Sequence, residues 1–332
     1  MSRSSKSLTL SRIEDLTLGS FAFVPTSETV DHLVRYLSTW SGSDKFFMII
    51  QHTLKLLVPF LHFRARMQHR AGLRKEPISS AAESLVKFSN IISDARMFFR
   101  IWGLLPIIQW LTSIERKQPP TRRILTIERL QGWSMLAYYP LEHLYYLVAH
   151  SIVPSKLSAV SLLSLLPSLG SKPGDKSITL DAKSLGMWSC RFWSLYVALQ
   201  FAHLLEDRKL LKTRERTVSK TKSVVAESEK EELKKRWDSF WSEVIVNLGN
   251  LPTAIHWSLE RGLFASDIWL DAFGLVAGLA SWRSGWKATA LPIVPPASEA
   301  PDLSSTEPSA HSSMTLDPDI VAPPLNDSVT GY

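Results

Sequence analysis

The apolar segments of this chain are broken at awkward lengths. Ile101–Ile114 is uncharged for 14 residues before Glu115, and Phe192–Leu205 for 14 between Arg191 and Glu206. Ala272–Trp282 is uncharged for 11 between Asp271 and Arg283. At about 1.5 Å per helical residue these runs reach roughly 17–21 Å, short of a hydrocarbon core about 30 Å thick. Trp133–Val153 is longer but is interrupted by Glu142, His143 and His150. Counted this way, no stretch is a clear transmembrane helix. The segments read either as buried core helices or as helices lying in or dipping into a membrane interface.

Helical periodicity dominates and strand alternation is scarce, so the body is expected to be all-α, a membrane-associated bundle of amphipathic and short apolar helices. Expected helices run from Glu28 to Trp40, from Asp44 to Phe63 with a kink at Pro59, and from Ser79 or Ser80 to Trp102. Others start near Ile124 and span 184–211, 227–249 and, as a pair, 252–287. Ser41-Gly42-Ser43 and Gly249 read as helix stops. Residues 1–25 form an expected disordered arm, 154–182 a Ser/Leu connector, and 212–226 a charged loop. Residues 288–332 form a Pro-rich acidic tail whose composition argues for disorder. The helical domain is bounded at 26–287.

Charge separates along the same boundary. Residues 291–332 hold six acids and no Lys or Arg, so the net +7 conceals a body at +13, 38 bases against 25 acids. Such a body suits an anionic partner, here a phospholipid surface. Nucleic acid is disfavoured, because finger motifs and basic helices free of large apolar residues are missing. The single cysteine, Cys190, excludes an internal disulfide and multi-cysteine zinc sites, and lacking a local base it reads as a core residue.

No catalytic motif is legible. Asp267 and Asp271 lie one helical turn apart without a third ligand, and His203 before Glu206 and Asp207 matches no acyl-transfer pattern. The chain is therefore expected to be no enzyme, with no cofactor and no metal.

The richest segment is Leu85–Trp102. On a helical wheel Phe88, Ile91, Ile92, Ala95, Phe98, Phe99 and Trp102 share one face, opposite Ser89, Ser93, Arg96 and Arg100. By itself this pattern fits either an ordinary core-facing helix or a membrane-inserting apolar face with Lys87, Arg96 and Arg100 on headgroup phosphate. Gly274 and Gly278, four apart in an apolar run, suggest a close helix–helix contact between copies. Trp282, Arg283, Trp286 and Lys287 follow as an aromatic and basic border.

In order along the chain, Tyr36-Leu37-Ser38-Thr39-Trp40-Ser41-Gly42-Ser43-Asp44-Lys45, Ile50-Gln51-His52, Ser93-Asp94-Ala95-Arg96 with Arg100, and Tyr139–Leu147 resemble the peroxisomal biogenesis factor 11 family. Phe192–Leu211 and Asn247–Trp282 resemble its C-terminal half. His52 stands where an aromatic residue is usual. The insert at 212–236 and the acidic tail fall outside the resemblance and look like elaborations of a filamentous-fungal branch.

The resemblance implies a peroxisomal membrane protein that forms homo-oligomers, elongates the membrane before fission, and works with the dynamin-related fission machinery and its adaptors. It implies a structural role for Gly42, Asp44, Lys45 and Gln51 at the N-terminal helix junction. Two other functions remain open: a metabolite channel, suggested by Glu142, Asp267 and Asp271 on broken apolar helices, and a non-enzymatic scaffold for fission or contact-site partners.

Overall fold

A computed structural model of the 332-residue chain describes residues 17–19, 24–158, 177–220 and 225–291. Most of the expected arm, the middle of the connector, part of the charged loop and nearly all of the tail lie outside the described residues. The rest is all-α: α1 (Glu28–Leu37), α2 (Trp40–Arg70), α3 (Ser80–Phe99), α4 (Leu104–Arg116), α5 (Arg122–Ala149), α6 (Ala182–Val218), α7 (Val225–Ser258) and α8 (Ile268–Ala288). One small antiparallel ribbon, β1 (Lys156–Ser158) with β2 (Ser177–Thr179), bridges α5 and α6, with Leu157 opposite Ile178.

Local chemistry sets the helix starts. Thr39 caps α2, its Oγ1 accepting from Gly42 N at 3.0 Å. Ser79 caps α3, Thr121 caps α5 and Asp181 caps α6 in the same way. The break between α1 and α2 is therefore Ser38-Thr39, and Gly42 lies inside the first turn of α2, where any Cβ would strike the Tyr36 carbonyl. A single 3-10 turn, Arg100–Gly103, joins α3 to α4, so Ser80–Arg116 reads as one near-continuous rod.

Three expected breaks are absent. α2 continues through Pro59 to Arg70. α7 continues through Gly249 and Pro252 to Ser258. Gly249 serves packing instead: a Cβ there would sit 2.8 Å from the Phe273 carbonyl of α8. The expected loop at 212–226 is mostly helix, with α6 running to Val218 and α7 starting at Val225. Arg, Lys and Glu are good helix formers, and the Thr213 and Thr217 hydroxyls return to the carbonyls of Lys209 and Thr213.

The helices pack as antiparallel neighbours in two connected sets. α5 and α6 lie side by side, α6 pairs with α7, and α7 with α8; α8 then packs on α2, and α2 on α3. The principal apolar core joins Ile107 of α4, Met135, Tyr138 and Tyr139 of α5, Trp193, Tyr196 and Val197 of α6, and Ala254 of α7. α1 closes the end of α8: His32 Nε2 lies 2.9 Å from the Trp286 carbonyl and its ring stacks on Trp286, while Tyr36 meets Trp282 edge-on.

Candidate membrane-embedding face and its buried polar centre

Helix α3 is amphipathic, but its polar side faces the protein. Ser89 is buried, Arg96 is 3% exposed and Arg100 is 6% exposed. The rings point away: Phe88 is 52%, Ile91 65% and Trp102 63% exposed, with Phe98, Phe99 and Ala95 also outward. Ile92 is the one buried member of the expected face. Neighbouring α2 continues the apolar surface with Phe46, Phe47, Leu57, Phe60 and Phe63, and Trp40 packs on Phe99 at 5.5 Å between ring centroids.

Three buried pairs occupy the interior. Arg96 spans from α3 to α2 with a forked contact, Nε to Asp44 Oδ1 at 2.8 Å and Nη2 to Asp44 Oδ2 at 3.3 Å, while Nη1 donates to Gln51 Oε1 at 2.8 Å. Lys45 is fully buried with Nζ 3.6 Å from Asp44 Oδ2. Arg100 Nη1 donates to Glu142 Oε1 of α5 at 2.6 Å, and the Tyr138 hydroxyl donates to the same oxygen at 2.7 Å. His52 Nδ1 meets Asp271 Oδ1 of α8 at 3.0 Å. Each pair joins two helices, so charges that would be costly alone are matched across the bundle.

This placement corrects the headgroup role expected of Arg96 and Arg100. Both guanidiniums are spent on carboxylates inside the protein; Lys87 remains exposed. The oligomer role expected of Gly274 and Gly278 is corrected in the same way. Both glycines are buried within one chain, where a Cβ at Gly274 would enter the His52 ring and one at Gly278 would lie 3.3 Å from Ile49 Cγ1. The border residues of α8 find partners within the chain: Trp282 and Trp286 stack with each other and pack on α1, and the exposed Arg283 and Lys287 both pair with Asp238 of α7. Gly42, Asp44 and Lys45 lie in the first two turns of α2 and Gln51 further along it, and Asp44, Lys45 and Gln51 belong to the buried polar cluster.

The pairs also explain why counting uncharged runs misses spans. By length and composition two helices are able to cross a membrane, Trp40–Arg70 (31 residues) and Ser80–Arg116 (37 residues), and only 17% and 22% of their most apolar windows are buried. At about 1.5 Å per residue they measure about 46 and 55 Å. Asp44, Lys45, Arg96 and Arg100 interrupt the sequence but not the outward surface.

Sequence reasoning did not foresee the His52–Asp271 or Arg100–Glu142 pairings. The signal available was the presence of opposite charges on separate apolar helices. A second cluster lies at the far end of α5 and α6, where His203 Nε2 meets Glu128 Oε1 at 3.1 Å and Nδ1 meets Asp207 Oδ2 at 2.9 Å. Burial alone would lower this histidine's pKa, but the bonds to Asp207 and Glu128 outweigh it and raise the value to about 9. Among the described residues no group of three His, Cys, Asp or Glu is arranged to hold a metal ion.

Comparison with known proteins gives one match. The family model of peroxisomal biogenesis factor 11 covers residues 30–165, from the third residue of α1 through the polar centre and the outward face of α3 to the end of α5 and beyond. No curated protein and no solved structure matches the chain. Residues 30–165, less than half of the chain, are thus similar to the peroxisomal biogenesis factor 11 family.

Proposed function

We propose that the chain takes part in peroxisome biogenesis, as its match over residues 30–165 suggests, and acts there as a non-enzymatic remodelling protein of the peroxisomal membrane, with the outward face of α2 and α3 held in the bilayer. One observation carries this reading: α3 turns its guanidiniums inward and its rings outward, the reverse of a helix packed on a water-soluble core. An exposed apolar surface of this size signals a membrane or a large partner. Phe88, Ile91, Phe98, Phe99 and Trp102 occupy acyl-chain space, and their bulk expands the bilayer around the protein and favours elongation. α2 and the α3–α4 rod have the length to cross, with Arg64, Arg66, Arg70, Arg74 and Lys75 in the last two turns of α2 or just past it and Arg116, Lys117, Arg122 and Arg123 at or just past the end of the rod. Those basic flanks suit anionic headgroups. Self-association and recruitment of dynamin-related fission machinery complete the proposal.

Reconstitution tests it. The full chain, added to anionic liposomes, should resist carbonate extraction and draw the liposomes into tubules seen by electron microscopy. Liposomes that stay spherical with the protein fully inserted would overturn remodelling, and release by carbonate would overturn embedding. The metabolite-channel reading draws on the polar groups inside the bundle. Those charges close on one another as pairs, and single-channel conductance in planar bilayers separates the two readings.

A further inference from the structure

The two longest helices outrun the bundle. Arg123 of α5 reaches Glu206 of α6, and Asp238 of α7 takes Arg283 and Lys287 of α8. Beyond those ties α6 continues to Val218 and α7 begins at Val225, so the segments on either side of the turn form a helical hairpin. It has its own small core in Val218 and Leu233, and Arg214 pairs with Glu232 across it. This hairpin lies outside residues 30–165.

Its charge is unbalanced. Residues 208–237 hold eleven Lys and Arg against five Glu. Arg208, Lys212, Arg216 and Lys220 recur every fourth residue along α6 and just past its end, all exposed. Neighbouring cations find carboxylates, Lys209 with Glu206 and Arg236 with Glu232. Among the described residues these four have no carboxylate at ion-pair distance. Like charges at i,i+4 each cost a helix about 0.2–0.5 kcal/mol, so the stripe is stabilised by an anionic occupant.

We propose that the occupant is the chain's own acidic segment, residues 299–327. Two observations select it. The first is charge complementarity: the hairpin carries an excess of six positive charges, and residues 291–332 carry six acids with no Lys or Arg. The second is position. α8 ends at Ala288, one residue after the Lys287 that pairs with Asp238, so the acidic segment leaves the bundle at the foot of the hairpin. Glu299 lies eight residues beyond Leu291, a reach of up to roughly 27 Å, and the stripe from Arg208 to Lys220 is about 18 Å long. Glu299, Asp302 and Glu307 therefore reach it. Tethering places the acids at an effective concentration of about millimolar, and occupancy keeps the hairpin off other anionic surfaces. The inference stands independently of how α2 and α3 meet the bilayer.

Carbodiimide coupling joins carboxylates to amines in contact and reads this directly. The full chain, one copy per nanodisc of zwitterionic lipid, should yield cross-linked peptides between Glu299, Asp302 or Glu307 and Lys212 or Lys220. The yield should fall several-fold between 0.1 M and 1 M salt, as the screening length drops from about 10 to about 3 Å. The triple variant Glu299→Gln, Asp302→Asn, Glu307→Gln leaves the described fold untouched. It should lose these products and capture added phosphatidylserine vesicles several-fold more than the parent. Absence of the cross-links in the parent at low salt would overturn the proposal. Equal vesicle capture by parent and variant would then assign the stripe to lipid headgroups.

Discussion

Arg96 shows how one residue ties sequence to architecture. Its guanidinium makes three hydrogen bonds from α3 to α2, two to Asp44 and one to Gln51. Arg96→Ala leaves Asp44 buried beside Lys45 with its main partner gone, and should cost about 3–5 kcal/mol of stability. Thermal unfolding in detergent measures this. Replacing the pair together, Asp44→Leu with Arg96→Met, should cost markedly less, because no charge is then stranded. If the double variant is as unstable as the single one, the pair is not the source of the loss. His203 gives a second test at this scale. Its folded pKa of about 9 lies above the unfolded value near 6.5, so its contribution is fully present below about pH 6.5 and is lost as pH rises through about 9. His203→Gln should lower the melting temperature at pH 6 and leave it nearly unchanged at pH 10; an equal drop at both would assign the effect to packing.

At the scale of elements, the proposed function rests on α3. Its wheel partition was legible in the sequence, and so were its own start at Ser79 or Ser80 and the start of α5 near Ile124. The direction of the partition was not, because an amphipathic helix shows two faces and periodicity does not say which meets the protein. Arg96 and Arg100 resolve it only once Asp44 on α2 and Glu142 on α5 are known to be within reach, and that is tertiary information. The same limit hid the use of Gly249, Gly274 and Gly278. Each reads as a stop or an oligomer motif along the chain, and each marks the close approach of a neighbouring helix in space. The hairpin at 208–237 was missed because Thr and Ser in a Lys-rich stretch read as loop, whereas here their hydroxyls bond back to the helix. If the outward face of α3 acts in the bilayer, Phe88→Ser with Phe98→Ser and Phe99→Ser should preserve the Arg96 pairing yet abolish liposome tubulation. Unchanged tubulation by this variant would remove α3 from the mechanism.

For the whole molecule, the distribution of polar groups is inverted on one flank and ordinary on the other. Tyr138, Tyr139, Trp193 and Tyr196 build an apolar centre among α4–α7, while α2 and α3 bury Asp44, Lys45 and Arg96 and leave most of their rings outside. Topology follows if α2 and the α3–α4 rod both cross. The 71–79 turn and the 117–121 linker then lie on opposite sides of the membrane. In a Cys190→Ser background, Leu73→Cys and Lys117→Cys should be labelled by an impermeant maleimide from opposite faces of sealed organelles. Labelling of both from one face would leave α2 and α3 lying along the interface.

If α2 and the α3–α4 rod both cross, the Arg96–Asp44 pair also constrains the order of insertion. A charged side chain at the centre of a lone helix costs about 2.5–3.5 kcal/mol to insert; Arg96 and Arg100 lie near the middle of the rod, and Asp44 and Lys45 in the first two turns of α2. The two helices are joined by a turn of nine residues, 71–79, and the fork between Arg96 and Asp44 forms within that hairpin. Delivery one helix at a time would expose each set of charges to lipid in turn. Delivery as a closed hairpin cancels Asp44 against Arg96 before either meets hydrocarbon, so the natural unit of insertion for this chain is the pair and not the single helix.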